Sequence, residues 1–173
     1  MSVLRSADTL AHLASLIGPL GSEMLESRSA TERNLGHPNP DVRAVAIHLL
    51  THKWADDTEV NTICEKALNE DKHPTVRGAA LSGLGIHNSG TEDRRIGRIL
   101  SALIKNESED TFVREAAYRA LFLLSGKEVE CESGEDILAA LRDIRIPAGV
   151  DWELVNSFLL GPDCSGESVP GPP

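Results

Sequence analysis

Apolar residues recur along this chain in one helical pattern written three times. The copies run Pro40 to Leu50, Pro74 to Leu84 and Thr111 to Leu121, and each carries a Val-Arg pair: Val42-Arg43, Val76-Arg77 and Val113-Arg114. Counted from each valine, apolar residues stand at three, four, five and eight positions beyond it. That spacing marks one face of an α-helix, and its alanines suit close approach of a neighbouring helix. The arginines are 34 and 37 residues apart, room for one helix-turn-helix unit but not for a separate domain.

Between these copies the pattern predicts partner helices. Asp56-Asp57-Thr58 opens one carrying Val60, Ile63, Cys64, Ala67 and Leu68 on a single face. Glu92 to Lys105 carries the clearest stripe, through Ile96, Ile99, Leu100, Leu103 and Ile104. Upstream, Val3 to Ile17 reads as an amphipathic helix stopped by Gly18-Pro19. Ser22 to Leu35 reads as helical, with Ser29 and Glu32 spaced as a capping box. The first Val-Arg helix is expected to end near Lys53, the second near Ile86 and the third at Ser125-Gly126. Glu135 to Ile144 is expected to be helical, and Asp151 to cap a last helix with Trp152, Val155, Phe158 and Leu159 inside. The expected organisation is one domain over residues 1–160 and a disordered tail, 161–173, of Gly, Pro, Ser and acid.

Composition narrows the packing. With 173 residues the chain is long enough for one sizeable core, and at 3% aromatic residues that core is built from aliphatic and alanine contacts. A net charge of -10 opposes general attraction to nucleic acid or to an anionic membrane and favours basic or neutral protein partners. Cys64, Cys131 and Cys164 share no short spacing, so neither a disulfide framework nor a thiolate metal site is suggested, and a reducing, cytoplasmic setting is expected. No stretch reads as a membrane span.

Paired helices whose second member begins Pro-x-Val-Arg-x-x-Ala, as at Pro40 and Pro74, resemble HEAT repeats of the short type. The resemblance covers Ser22 to Gly126, extends loosely to Leu160, and implies an all-α solenoid of stacked antiparallel helix pairs, with about three clear repeats and degenerate terminal helices. In that family an aspartate six residues before the arginine bonds across stacked repeats. Asp71 stands in that relation to Arg77, but His37 and Ser108 occupy the equivalent places before Arg43 and Arg114, so an interrupted ladder is expected. The three arginines are expected to secure inter-repeat turns through carbonyls or nearby acids rather than to bind a ligand.

The resemblance further implies that the second helices line a concave surface. Two, six and nine positions beyond each valine lie Ala44, His48 and Thr51; Gly78, Ser82 and Gly85; and Glu115, Arg119 and Phe122. Two readings fit the small middle set. Gly78, Ser82 and Gly85 floor a shallow groove for an extended peptide, flanked by His48 and His52 on one side and Arg119 and Phe122 on the other; or the small residues only permit tight helix curvature.

His48 and His52 have the spacing of a two-histidine metal site, but no third ligand accompanies them, so no metal is expected. The His-Glu pairs of HEAT-type deoxyhypusine hydroxylases are absent. Arg94, Arg95, Arg98 and Lys105 form a basic cluster whose expected partners are Asp56, Asp57, Glu92 and Asp93. The acidic stretches Glu107 to Asp110 and Glu128 to Asp136 read equally as solvated loops or as a surface for a basic protein. There is no phosphate-binding glycine loop, nucleophile elbow or Cys-x-x-Cys pair. The expected role is therefore non-catalytic binding of a protein or peptide as a scaffold or adaptor, with no cofactor. The alternatives are an enzyme subunit or nucleic-acid protein on the same scaffold, resembling bilin-lyase subunits or alkyl-base DNA glycosylases, and an acidic neutralising partner of a basic toxin or nuclease.

Overall fold

A computed structural model describes residues 7–54, 57–127, 146 and 148–160. The helices are α1 (Ala7–Ser15), α2 (Pro19–Glu26), α3 (Arg28–Arg33), α4 (Pro40–Leu49), α5 (Asp57–Glu70), α6 (Pro74–His87), α7 (Arg94–Lys105), α8 (Thr111–Leu124) and α9 (Trp152–Leu159). A 3-10 turn, Asn34–Gly36, follows α3, and a π-helical turn, Leu50–Trp54, extends α4. No strand occurs among the described residues, and no helix there is long and apolar enough to cross a membrane. The expected helix at 135–144 and the tail at 161–173 lie outside the described residues.

The three Val-Arg helices start alike because each has a cap. Asn39, His73 and Asp110 accept hydrogen bonds from the amides of Asp41, Thr75 and Phe112, and proline follows the first two caps where its missing N–H costs nothing. Near the N-terminus the boundaries differ from expectation. Gly18 ends the first helical turn region at φ 64°, but Pro19 at once begins α2, and Ser27 rather than Ser29 caps α3 by accepting from the Ala30 amide.

Each helix pair is a hairpin, α5 against α6 and α7 against α8, and α4, α6 and α8 stack directly on one another. Glycine makes that inner row close. A Cβ on Gly85 would lie 2.7 Å from the Cα of Ala120, so a side chain there would force α6 and α8 apart, and one on Gly83 would meet the Cys64 sulfur of α5 at 2.6 Å, which keeps the α5–α6 hairpin tight as well. The outer helices α5 and α7 stand farther apart and are joined by the Arg95–Glu65 ion pair at 2.8 Å. Helices α4, α6 and α8 thus form a tight row, here called inner, beside the looser row of α5 and α7, here called outer.

The main core joins Leu81, Leu84, Leu100, Ile104, Leu121 and Leu124, all essentially without solvent contact. A second cluster, centred on Met24, Val42, Val45 and Leu49, ties α2 and α3 to α4. At the other end α9 lies on α7, where the Phe158 ring covers Gly97. Asp151 caps α9 as expected, and its own amide donates to the Tyr118 hydroxyl. Trp152, expected inside, is 37% exposed, while Leu154, Val155 and Phe158 form the buried stripe.

Candidate functional site

The arginines of the repeated motif hold the stack together along its turns. Arg43 makes a two-pronged pair with Asp71, through Nε at 2.6 Å and Nη2 at 3.0 Å, and its Nη1 donates to the carbonyls of His37 and Pro38. Arg77 pairs with Glu109 at 2.6 Å and donates to the Leu68 carbonyl, and Arg114 donates to the carbonyl of Ile104. The ladder is thus continuous across the two inter-repeat steps, where the sequence predicts an interruption at Ser108. The acid stands one residue later, at Glu109, whose extra methylene lets it reach. Arg43 holds the Asp71 carboxyl below the usual range, and Arg77 does the same to Glu109, with both effects led by the hydrogen bond. These arginines are structural, as expected.

The predicted concave residues separate into two sets. Ala44, Thr51, Gly78 and Gly85 are buried, whereas His48, His52, Ser82, Glu115, Arg119 and Phe122 are half-buried. Gly78 lies under the Phe112 ring of α8 and Gly85 against Ala120, so positions two and nine beyond the valine face the next repeat in the stack. The expected glycine floor is therefore occupied by α8, and of the two readings the small residues serve close helix contact. Glu115 and Phe122 hold the same positions in α8, where no further stacked inner helix follows among the described residues, and so keep solvent contact.

The free face of the inner row runs instead through the positions one before and six and ten beyond each valine. These are Asp41, His48 and His52 on α4 and its π turn; Thr75, Ser82 and Ile86 on α6; and Phe112, Arg119 and Leu123 on α8, all exposed or half-buried. Sequence counting found the central line, His48–Ser82–Arg119, and His52, but missed Asp41, Thr75, Ile86, Phe112 and Leu123. The available signal was Phe112, a large aromatic in a first turn, which is 48% exposed.

One end of this face carries three imidazoles. The rings of His48 and His52 stack with centroids 5.9 Å apart, and His52 stacks on His87 of α6 at 6.2 Å. A ring nitrogen of His87 bonds to the Thr51 carbonyl, crossing between the two repeats. His48 Nδ1 is out of solvent contact without a hydrogen-bond partner, and burial pushes the His48 pKa down to about 4. The near-parallel rings do not converge, and among the described residues no group of three His, Cys, Asp or Glu is placed to hold a metal ion. Cys64 is buried, and burial pushes its thiol up to about 12, helped by the charge of Glu65.

In the basic cluster on α7, Glu65, which is not among the expected partners, joins Asp93, which is, in acting on Arg95. Arg95 pairs with Glu65 of α5, and Arg94 donates to the Leu160 carbonyl, while Asp93 serves as the helix cap. Asp56 and the side chain of Asp57 lie outside the described residues.

Compared with known proteins, no curated protein and no solved structure matches the chain. The family model for HEAT repeats matches residues 29–122, more than half of the sequence and the stretch that contains all three Val-Arg pairs. With that match and three stacked inner helices joined by arginine bridges, the chain belongs to the HEAT-repeat family.

Proposed function

We propose that this protein is a non-catalytic binding module that holds a protein or peptide against the free face of α4, α6 and α8. The observation that carries this reading is the stripe itself. Three helices in register present Thr75, Ser82 and Ile86 at the centre, with imidazoles at one end and Phe112 and Arg119 at the other. Thr75 and Ser82 keep the centre shallow, while an exposed aromatic and an arginine are the residue types that anchor interfaces. A mixed polar and apolar face of this kind suits an extended segment, and the -10 net charge makes a basic one electrostatically easier to attract. A cytoplasmic adaptor or scaffold role is the natural setting for such a module.

The test is site-directed photocrosslinking in the native cell extract, with the photoreactive residue placed at Ser82 or Thr75 and, as a control, at Arg98 on the outer helix α7. Partner adducts are expected from the first two positions and not from the third, and Ser82→Glu should abolish binding while leaving the helical content intact. Adducts confined to Arg98, or undiminished binding by Ser82→Glu, would remove the inner face from consideration. Salt-sensitive binding to duplex DNA at low ionic strength would instead favour the nucleic-acid alternative.

A further inference from the structure

The histidine end of the inner face is also where the backbone leaves α geometry. His52 sits on the π-helical turn Leu50–Trp54, a conformation that recurs at functional places. Long-range bonds hold this turn in place. A ring nitrogen of His87 bonds to the Thr51 carbonyl, Arg28 Nη1 donates to the Trp54 carbonyl at 3.1 Å, and Lys53 donates to the Leu25 carbonyl. His48 lies one helical turn earlier, on the central line of the face, with its ring stacked on His52 at 5.9 Å. Its Nδ1 is out of water and has no hydrogen-bond partner. A neutral imidazole fits that place, because one of its nitrogens carries no proton. An imidazolium has two N–H donors, and here one of them would be buried unpaired together with the charge.

We propose that acidification releases the partner from the inner face, with protonation of His48 as the trigger and the π turn as the element that gives way, a regulation that rests on the binding role given above to α4, α6 and α8. Two effects of the charge act together. A charged His48 ring has to leave its buried place for water, which breaks the stack and frees the turn that carries His52. The same charge then stands on the central line of a strip suited to a basic segment, and repels it. The acids of the elements packed on α4 are engaged or turned outward. Glu23 of α2 pairs with Arg33 of α3, and Arg28 of α3 pairs with its own helix's Glu32 and with Glu59 of α5, while Glu26 of α2 and His12 of α1 are exposed. Asp41 stands at the start of α4, and Arg43 and Arg77, near the starts of α4 and α6, are taken up by Asp71 and Glu109. Lys53 is drawn to the Leu25 carbonyl, so among the described residues the titratable groups beside His48 are His52 and, through it, His87. Burial, not a charged neighbour, holds the His48 pKa down.

The test uses the full chain and reads the trigger apart from the partner. Hydrogen exchange, expressed as protection relative to the intrinsic rate at each pH, is followed for residues 49–54 and for α8 between pH 7 and pH 5, in wild type and in His48→Phe. A proton bound with a pKa of 6.5 in the open turn and about 4 in the closed one makes the wild-type turn open about twentyfold more at pH 5 than at pH 7. The turn should stay less protected than α8 throughout, and the fall should vanish in His48→Phe. Photocrosslinking from Ser82 of the wild-type protein, over the same pH series, should lose about nine-tenths of its partner adduct along the same pH course. Constant protection at 49–54, protection there equal to that of α8, a fall that persists in His48→Phe, or undiminished adduct at pH 5 each overturn the proposal. Absence of adduct from Ser82 and Thr75 at pH 7 is the distinct outcome that removes the inner-face reading itself, and this regulation with it.

Discussion

Replacing His48 with phenylalanine should flatten the acid side of this protein's stability profile. The ring is held in the stack with His52 and His87, and its Nδ1 is shut off from water without a partner. Burial lowers its pKa from 6.5 to about 4. The unfolded chain therefore takes up the proton first as pH falls, and stability is lost between pH 6.5 and about 4, with no further loss from this group below. At 1.36 kcal/mol per pH unit the full effect is about 3 kcal/mol, and about 2 kcal/mol of it is already gone by pH 5. Against a typical total of about 5–15 kcal/mol that is a readable fraction. Urea unfolding followed by circular dichroism at pH 7, 6, 5 and 4.5 measures it for both proteins. Phenylalanine keeps a planar ring in the stack but binds no proton, and every other titrating group, Asp71 and Glu109 included, is common to both proteins and cancels in the difference. The gap between the two stability curves should shift by about 2 kcal/mol from pH 7 to pH 5. Parallel curves would refute the argument, because they would mean that the His48 ring is hydrated in the folded state.

Further substitutions and one labelling reaction probe the packing. Gly85→Ala should destabilise by about 1–3 kcal/mol because its Cβ meets the backbone of Ala120, whereas Gly78→Ala meets only the rim of the half-exposed Phe112 ring and should fall within about 1 kcal/mol of wild type; thermal or urea unfolding ranks them. Arg77→Ala should cost about 1–3 kcal/mol by leaving Glu109 without its partner, and the double variant with Glu109→Gln should cost less than the sum of the two single changes. The Asp71 and Glu109 carboxyls are held low, so their contribution is present above the ordinary carboxylate pKa and is lost as pH falls through the lower folded values. In a variant lacking Cys131 and Cys164, Cys64 should ignore a thiol reagent at pH 8 until the protein is unfolded; rapid labelling of the native protein would contradict its burial.

The helices and their pairing were legible because their cause is local. A proline or capping side chain, a Val-Arg pair and apolar residues on a 3.6 period state where a helix begins and which side it buries. Which outward position faces the neighbouring repeat is a property of two helices, and here sequence counting failed. Gly78 and Gly85 are consistent with an open groove or with a close neighbour, and only Phe112 and Ala120, more than thirty residues away, decide for the neighbour. The same limit hid the second rung of the arginine ladder. A rule written for an aspartate six residues before the arginine passes over Glu109, although one more methylene does the same work from one residue later. The histidine stack was half visible. His48 and His52 follow from helical spacing, but His87 joins them only because α6 runs beside α4.

Close approach of Gly85 to Ala120 draws α6 and α8 together, so that the inner face is shallow and lined by side chains from all three repeats. A shallow strip suits an extended segment that takes its affinity from many small contacts. A charge placed at its middle by Ser82→Glu should therefore cost more affinity than one placed at its edge by Thr75→Glu, and equal losses measured by titration of the partner would mean that the strip is not read along its length.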